Sequence, residues 1–261
     1  MNITALKAAN AARFAKAHLT RASEFATVAK SLVAAKSRYQ SVEARTAVPW
    51  YVIAVIHERE ASQKWDAQLG QGDPLNHVST HVPKGRGPFK TWEDGAYDAL
   101  VNCAPYAARN KDWSIGGLLT LLETYNGLGY FERGLPSPYI WSGTDQYIKG
   151  KYVADGKYDP SVVDHQLGCA GILIAMRVID PSIVFDDAAP LGEPTPPTLR
   201  KGCNGLNVQT LQGRLNAHGY SLVVDGAFGN KTDAALRSFQ KAAGLPVTGV
   251  ADPATWVELM K

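Results

Sequence analysis

The stretch VIAVIHEREASQKW, Val52–Trp65, decides how the first part of the chain folds. Its first residues are apolar on every side, a pattern typical of a helix that is buried all round. Pro49 lies just before it and suits the first turn of a helix. The apolar run ends in Glu58 and Glu60, so the segment predicts a buried helix that delivers an acidic side chain at its C-terminal end.

The pair His57-Glu58 also matches the start of a zinc-peptidase motif, in which a second histidine follows four residues after the first. Position 61 is an alanine, so the motif is incomplete. His77 and His81 have the same spacing, but their segment is predicted to be extended, which would separate them by about 13 Å. With His165 they remain a metal hypothesis, and structural histidines are the preferred interpretation. We expect no metal and no cofactor.

The composition limits the class of protein. The chain has 261 residues, a net charge of +3 and three cysteines. This charge is too small to indicate nucleic-acid binding, and three widely spaced cysteines predict neither a disulfide framework nor a metal motif. No signal peptide is recognisable, and no apolar run reaches the ~18 residues of a membrane span. We expect a monomer, made in a reducing compartment, that neither binds nucleic acid nor inserts stably into a membrane.

The chain divides at the segment DDAAPLGEPTPPT, residues 186–198, whose four prolines predict a semi-rigid extended linker. We assign residues 1–187 to a first domain, 188–197 to the linker and 198–261 to a second, smaller domain. In the first domain, residues 3–45 contain no Gly or Pro and predict two basic helices that pack on the domain body, a membrane-seeking segment being the alternative. NHVSTHVP and KGRGP, residues 76–88, predict a small β-hairpin.

The second domain contains an internal repeat, in which LVVDGAFGNKTDAAL (222–236) aligns with LPVTGVADPATWVEL (245–259). Its glycines, aromatic residues and apolar helix positions resemble those of the widespread three-helix peptidoglycan-binding domain. The resemblance implies that peptidoglycan is the partner and that a shallow groove beside the turn from Asp225 to Phe228 receives the stem peptide. A generic helical domain that binds a protein is the alternative. The matching positions are Gly202, Gly205, Val208, Leu211-Gln212, Leu215, Gly219-Tyr220, Asp225-Gly226, Phe228-Gly229, Thr232, Phe239-Gln240, Gly244-Leu245, Gly249 and Thr255-Trp256.

The first domain resembles the lysozyme-like superfamily, which includes phage endolysins, lytic transglycosylases and goose-type lysozymes. Two features carry this resemblance: the buried helix that ends in glutamate ahead of a hairpin region, and the motif TYNGLGY, residues 124–130. The order of the two domains resembles that of phage and prophage endolysins. The resemblance implies a mainly α, lysozyme-like α+β domain with a small hairpin lobe, which cleaves the β-1,4 bond between N-acetylmuramic acid and N-acetylglucosamine. It also implies synthesis in the cytoplasm of a phage-infected or prophage-carrying bacterium and release to the wall by another factor.

Glu58 and Glu60 lie about 200° apart on a helix and cannot face one cleft. In the family the catalytic acid is followed by a small residue, which Glu60-Ala61-Ser62 matches better than Glu58-Arg59. The resemblance therefore favours Glu60 as the general acid, with Glu58 as the alternative. Asp73, or a water held by Thr80, would serve the opposite face of the sugar. A turn residue before proline is the other interpretation of Asp73.

If no second carboxylate acts, the resemblance to lytic transglycosylases implies that the sugar's own groups complete the reaction. Tyr125 would then hydrogen-bond the glutamate and Asn126 would contact sugar, although a helix-capping turn also explains Asn126-Gly127. Aromatic residues that could stack on sugar rings are Trp92, Tyr130, Tyr139 and Trp141. The rival hypotheses for the whole chain are a zinc amidase or peptidase and a wall-binding protein without catalytic activity.

Overall fold

The computed structural model describes residues 2–70, 72–154, 156–186 and 198–260. Within these ranges the chain forms twelve α-helices and one two-stranded antiparallel sheet, which confirms the predicted mainly α class with a small β-hairpin. No helix in the described ranges is long and apolar enough to cross a membrane. The linker predicted at 188–197 lies outside the described residues.

The first domain contains nine of these helices and both strands. The bounds are α1 Ile3–Phe14, α2 Ala22–Ala34, α3 Lys36–Thr46, α4 Trp50–Ala61, α5 Trp92–Asn102, α6 Ile115–Tyr125, α7 Gly129–Glu132, α8 Pro138–Trp141, β1 Lys151–Ala154, β2 Lys157–Asp159 and α9 Cys169–Ile179. The second domain contains α10 Leu206–Ala217, α11 Asn230–Ala242 and α12 Pro253–Leu259.

Helix α4 is the centre of the first domain. Its residues 52–56 have no exposed surface, as their all-apolar sequence predicts, and it packs against α2, α3 and α9. Burying each large apolar side chain contributes about 2 kcal/mol to stability. The helix ends where Ser62 adopts a left-handed conformation, with φ of 48°. Its last turn leaves the core there and carries the two glutamates toward the surface.

The N-terminal region forms three helices rather than the predicted two, because the chain breaks at Ala35 between α2 and α3. Helix α1 packs on α6, α2 on α9, and α3 on both α4 and α5. All three helices thus pack their buried apolar residues into the first domain, as predicted for this region.

The β-hairpin does not lie where the sequence predicted it. Residues 76–88 form turns and bends, whereas the two strands lie at 151–159, in a segment rich in tyrosine. The 76–88 segment has the alternation of a strand, but Val78 and Val82 are exposed rather than packed on a core face. Its shape is held by hydrogen bonds, including one from the Ser79 amide to the Arg86 carbonyl.

In the second domain one glutamine amide holds each copy of the internal repeat. Gln212 accepts a hydrogen bond from the Gly226 amide and donates to the Thr232 hydroxyl. Gln240 makes the equivalent bonds to Gly249 and to the Thr255 hydroxyl. Each glutamine is almost fully buried, so its satisfied amide fixes a glycine turn to the helix that follows.

A carboxyl group is buried between α1 and α6. Glu123 is 1% exposed and accepts a hydrogen bond from the Asn10 amide, 3.2 Å away. Burial raises its pKa to about 7, while the Asn10 bond and the charge of Arg13 offset part of that rise. The packing of the N-terminal helix therefore depends on the protonation of one side chain.

We expect Glu123→Gln to flatten the pH dependence of stability. The raised folded pKa means that wild-type stability is fully present below pH 4.5 and decreases as the pH rises toward 7. Between pH 5 and pH 8 this loss amounts to roughly 2–3 kcal/mol. Urea unfolding at both pH values should show that Glu123→Gln removes most of it, whereas the exposed Glu132→Gln should behave as wild type. Equal pH slopes for wild type and Glu123→Gln would contradict the assignment.

Candidate active site

Glu60 lies in the last turn of α4 and is partly buried. The Tyr139 hydroxyl donates a hydrogen bond to Glu60 Oε1, with 2.6 Å between the oxygens. Tyr139 belongs to α8 and is itself 5% exposed, so its hydroxyl is held rigidly from the opposite side of the site. The carboxyl group thus has one fixed orientation.

The surroundings of Glu60 favour its neutral form. Burial raises its pKa above the ordinary 4.5, while the bond from Tyr139 and the charge of Arg59 offset part of that rise. A carboxyl group that stays protonated toward neutral pH can act as a general acid. The upward direction of the Glu60 pKa shift comes from its burial.

Arg59 fixes the tyrosine rather than the carboxyl group. Its guanidinium lies 4.3 Å from the centre of the Tyr139 ring and donates to the carbonyl of Leu167, 2.8 Å away. The side-chain amide of Gln166 in turn donates a hydrogen bond to the Arg59 carbonyl. The end of α4 and the segment before α9 are therefore bound together around the tyrosine that holds Glu60.

Glu58 faces another part of the domain, as the helix geometry predicted. Its carboxylate accepts a hydrogen bond from the Gln63 amide at 2.7 Å, and its charge raises the pKa of Tyr39, on which burial acts more strongly. Tyr39 lies on α3, away from Tyr139 on α8. The two glutamates therefore do not form a pair.

His57 is a buried structural residue. Its Nε2 lies 3.0 Å from the Lys64 carbonyl and its Nδ1 lies 3.0 Å from the Tyr39 hydroxyl. A carbonyl oxygen can only accept, so Nε2 carries the proton and Nδ1 accepts from the tyrosine. Burial lowers the pKa of His57 to about 4, which keeps the ring neutral. The ring packs against both Trp65 and Trp92, and this contact anchors the chain just after α4.

The predicted second carboxylate lies in the segment that follows α4. A Cβ atom at Gly72 would be 3.1 Å from the Glu60 carbonyl oxygen, so this segment passes over the end of the helix. Asp73 accepts hydrogen bonds from the amides of Thr80 and His81, and its other oxygen lies 2.6 Å from His81 Nδ1. The His81 amide contributes most to lowering the pKa of Asp73. Thr80 is exposed. The catalytic roles assigned to Asp73 and Thr80 stay predictions.

Tyr125 lies near Glu60 at the end of α6. Its hydroxyl oxygen is buried and has no hydrogen-bond partner among the described residues. Burial raises the pKa of Tyr125 strongly, and the charge of Glu60 adds to this rise. The hydroxyl is therefore an unpartnered donor within the described residues, and in this structure the bond to Glu60 comes from Tyr139. Asn126 follows as the exposed C-cap of the helix.

The predicted sugar-stacking residues have different environments. Tyr130 and Asn126 line a cleft of about 420 Å³ beside the β-hairpin. Trp141 and Trp92 are 0% and 2% exposed, so their rings belong to the core and present no face to a glycan. Tyr139 is a hydrogen-bond donor to Glu60, a role that its sequence position did not reveal because 79 residues separate the two.

The histidines of the metal hypothesis are used in other ways. His81 pairs with Asp73, and His77 Nδ1 lies 2.7 Å from the Asn76 side-chain oxygen. In the part of the chain that the structure describes, no three His, Cys, Asp or Glu side chains are grouped as metal ligands would be.

In the second domain the predicted groove has a structural counterpart. A cleft of about 240 Å³ lies beside Asp225, between the end of α10 and the start of α11. The Asp225 carboxylate accepts from the Gln212 amide and from the Ala227 amide, so it stabilises the turn. Phe228 is 2% exposed and its ring belongs to the small core. The peptidoglycan-binding roles of Asp225 and Phe228 stay predictions.

Comparisons with known proteins bear on this second domain. Residues 204–259 match the model of a family described as "Putative peptidoglycan binding domain". The chain is 45% identical over 60 residues to N-acetylmuramoyl-L-alanine amidase CwlL of Bacillus licheniformis, covering 22% of this chain and 17% of that protein. It is 44% identical over 62 residues to a zinc D-Ala-D-Ala carboxypeptidase of Streptomyces albus G, covering 23% and 24%. It is 45% identical over 64 residues to a spore cortex-lytic enzyme of Bacillus cereus, covering 24% and 25%.

Among solved structures, a peptidoglycan-binding protein from Clostridioides difficile in complex with glutamine hydroxamate is 43% identical, covering 25% of this chain and 41% of that one. Its TM-score of 0.25 carries no argument about the fold. The chain spans less than half of each of these proteins. The matches support a cell-wall-related role with peptidoglycan as a partner, and the chemistry of the first domain rests on its own geometry.

Proposed function

We propose that this chain is a peptidoglycan hydrolase that cleaves the β-1,4 bond between N-acetylmuramic acid and N-acetylglucosamine. The observation that carries the proposal is the carboxyl group of Glu60, delivered by a buried helix and oriented by Tyr139. Glycosidases need one carboxylic acid that stays protonated until it meets the leaving oxygen. The raised pKa of Glu60 suits that task.

The hydrogen bond from Tyr139 sets where the acidic proton lies. Because the tyrosine donates to Oε1, the proton of the neutral acid resides on Oε2, which then faces the glycosidic oxygen. Proton transfer leaves a carboxylate, and the same Tyr139 bond together with the charge of Arg59 stabilises it. Tyr125 supplies a further unpartnered donor for the negative charge that develops.

The reaction is completed by a second group that acts on the opposite face of the sugar. Asp73 lies close to the end of α4, but both of its oxygens already receive hydrogen bonds from residues 80 and 81. This observation favours a second candidate function, a lytic transglycosylase, in which the sugar's own 6-hydroxyl attacks and forms a 1,6-anhydro end. A water positioned near Thr80 is the hydrolytic alternative.

The second domain is proposed to hold the enzyme on its polymer. A binding domain tethered by a short proline-rich linker raises the local concentration of glycan strands at the catalytic cleft. The amidase and peptidase names of the relatives concern proteins matched over the binding region, so they leave the bond that this chain cleaves open. The resemblance in domain order supports a phage or prophage endolysin as the biological setting.

Mass spectrometry of digested sacculi tests the proposal. The wild-type protein should release fragments with cleaved glycan ends: reducing ends indicate hydrolysis, and 1,6-anhydro ends indicate transglycosylation. Glu60→Gln should lower the rate by about 10²–10⁴-fold, because the side chain keeps its size but has no proton to donate. Glu58→Gln is the matched control and should keep most of the activity. New amino termini with intact glycan, or a fully active Glu60→Gln, would refute glycan cleavage by this residue.

Tyr139→Phe should change the pH profile as well as the rate. Removing a hydrogen bond that favours the carboxylate raises the pKa of Glu60 further. Since the acid must be protonated to act, the alkaline limb of the activity profile should move to higher pH, while the maximal rate falls because the carboxyl group loses its orientation. Tyr97→Phe, on α5, is the control and should leave the profile unchanged. An alkaline limb that stays in place or moves to lower pH would contradict the role of Tyr139.

A further inference from the structure

The cleft beside the β-hairpin is lined from the same short segments that carry Tyr125 and Tyr139. Two of its lining residues, Asn126 and Pro138, are the chain neighbours of these tyrosines. Its other wall is the whole of β1 together with Asp164. The end of α6 and the start of α8 therefore contribute both to this cleft and to the surroundings of Glu60.

The hairpin is held rigidly over the cleft by tyrosines. The Tyr152 amide donates to the Tyr130 hydroxyl at 2.9 Å, and the two rings meet edge to face with centres 5.0 Å apart. Tyr158 packs on both rings, and the Arg133 guanidinium lies 4.8 Å from its centre. Tyr130 is 3% exposed and its hydroxyl accepts from this amide, so its part is to hold β1 in place at the wall of the cleft.

The cationic group in the cleft is Lys151, the first residue of β1. Its ammonium group lies 3.3 Å from Asp164, whose side chain is 9% exposed, whereas the side chain of Lys151 is 40% exposed. The backbone amide of Gln166 also donates a hydrogen bond to the Asp164 carboxylate, with 3.0 Å between nitrogen and oxygen. The Lys151 and Asp164 side chains form an ion pair. An ammonium group has three N–H donors, which a ligand on the open side of the cleft can engage.

A ligand that accepts hydrogen bonds suits this cleft, and a carboxylate on it can share the ammonium group of Lys151 with Asp164. The half-buried ring of Tyr152 offers an apolar surface to a short chain. The neutral sugars of the glycan backbone have no carboxylate at this position, whereas the peptide stem attached to the muramic acid carries carboxylates and amide carbonyls. The stem is therefore the part of the wall polymer whose chemistry fits.

We propose that the cleft between Tyr130 and β1 binds the peptide stem of peptidoglycan, with Lys151 pairing with a stem carboxylate. This inference rests on the proposed function in taking peptidoglycan as the substrate. It makes the first domain selective for strands that carry peptides, independently of the groove in the second domain.

Nuclear magnetic resonance of the ¹⁵N-labelled full chain tests the site without requiring turnover. The probe is the synthetic tripeptide L-Ala–γ-D-Glu–L-Lys. In wild type the amide signals of residues 152–154 should shift saturably as the tripeptide is added. Lys151→Gln should weaken this binding by about threefold to tenfold, as expected for the loss of one partly exposed charge pair. Lys151→Arg should restore it, and Lys149→Gln, which changes an exposed lysine two residues away, should have no effect.

The tripeptide can also bind the groove of the second domain. Signals of residues 225–232 report that binding separately from binding at β1. Absence of shifts at 152–154 in wild type, or a Lys151→Gln protein that binds as wild type does, would overturn the proposal. Glycan cleavage is measured separately on sacculi. If the tripeptide binds at β1 but the glycan stays intact, the hydrolase proposal is refuted and the cleft assignment stands. If the glycan is cleaved but the signals at β1 do not shift, the cleft assignment is refuted and the hydrolase proposal stands.

Discussion

The hydrogen bond from Tyr139 to Glu60 is the contact on which the proposed catalytic site depends. It joins the end of the central helix to α8, and it lies where burial opposes ionisation of the carboxyl group. An unpaired carboxyl group in such surroundings would be costly to the fold. The Tyr139 hydroxyl pairs with the carboxyl group of Glu60 and also orients it. The rest of the first domain can be understood as the means of holding these two side chains in place.

Two sets of contacts provide that support from opposite sides of α4. On one side Arg59 lies against the Tyr139 ring and binds the Leu167 carbonyl, so the tyrosine cannot swing away. On the other side neutral His57 links Tyr39 to the Lys64 carbonyl and fixes the chain that leaves the helix. The polar residues at the end of the helix thus divide into one acid and a group of structural supports. This division explains why a sequence segment with three charged residues in a row can lie against a core.

The structure could be predicted from the sequence best where the pattern lies within one short segment. An apolar run with no polar face predicts a buried helix, and helix geometry alone separates Glu58 from Glu60. Contacts between distant segments are not encoded in this way, so the Tyr139 bond, 79 residues away from Glu60, could not be predicted. The hairpin was misplaced for a related reason, since alternation at 76–88 resembles a strand, but no second strand within the described residues pairs with it.

The second domain shows the same contrast, since the glycine turns of its repeat are visible in the sequence, whereas the buried glutamines that hold them are not. The proposed general-acid role in the first domain depends on one proton, that of Glu60. Carbon-13 NMR of the glutamate carboxyl carbons, with Glu60→Gln to assign the signal, would follow the titration of Glu60 directly. We expect a midpoint above the ordinary value of 4.5. A midpoint at or below that value would mean that Glu60 is ionised at neutral pH and cannot serve as the acid.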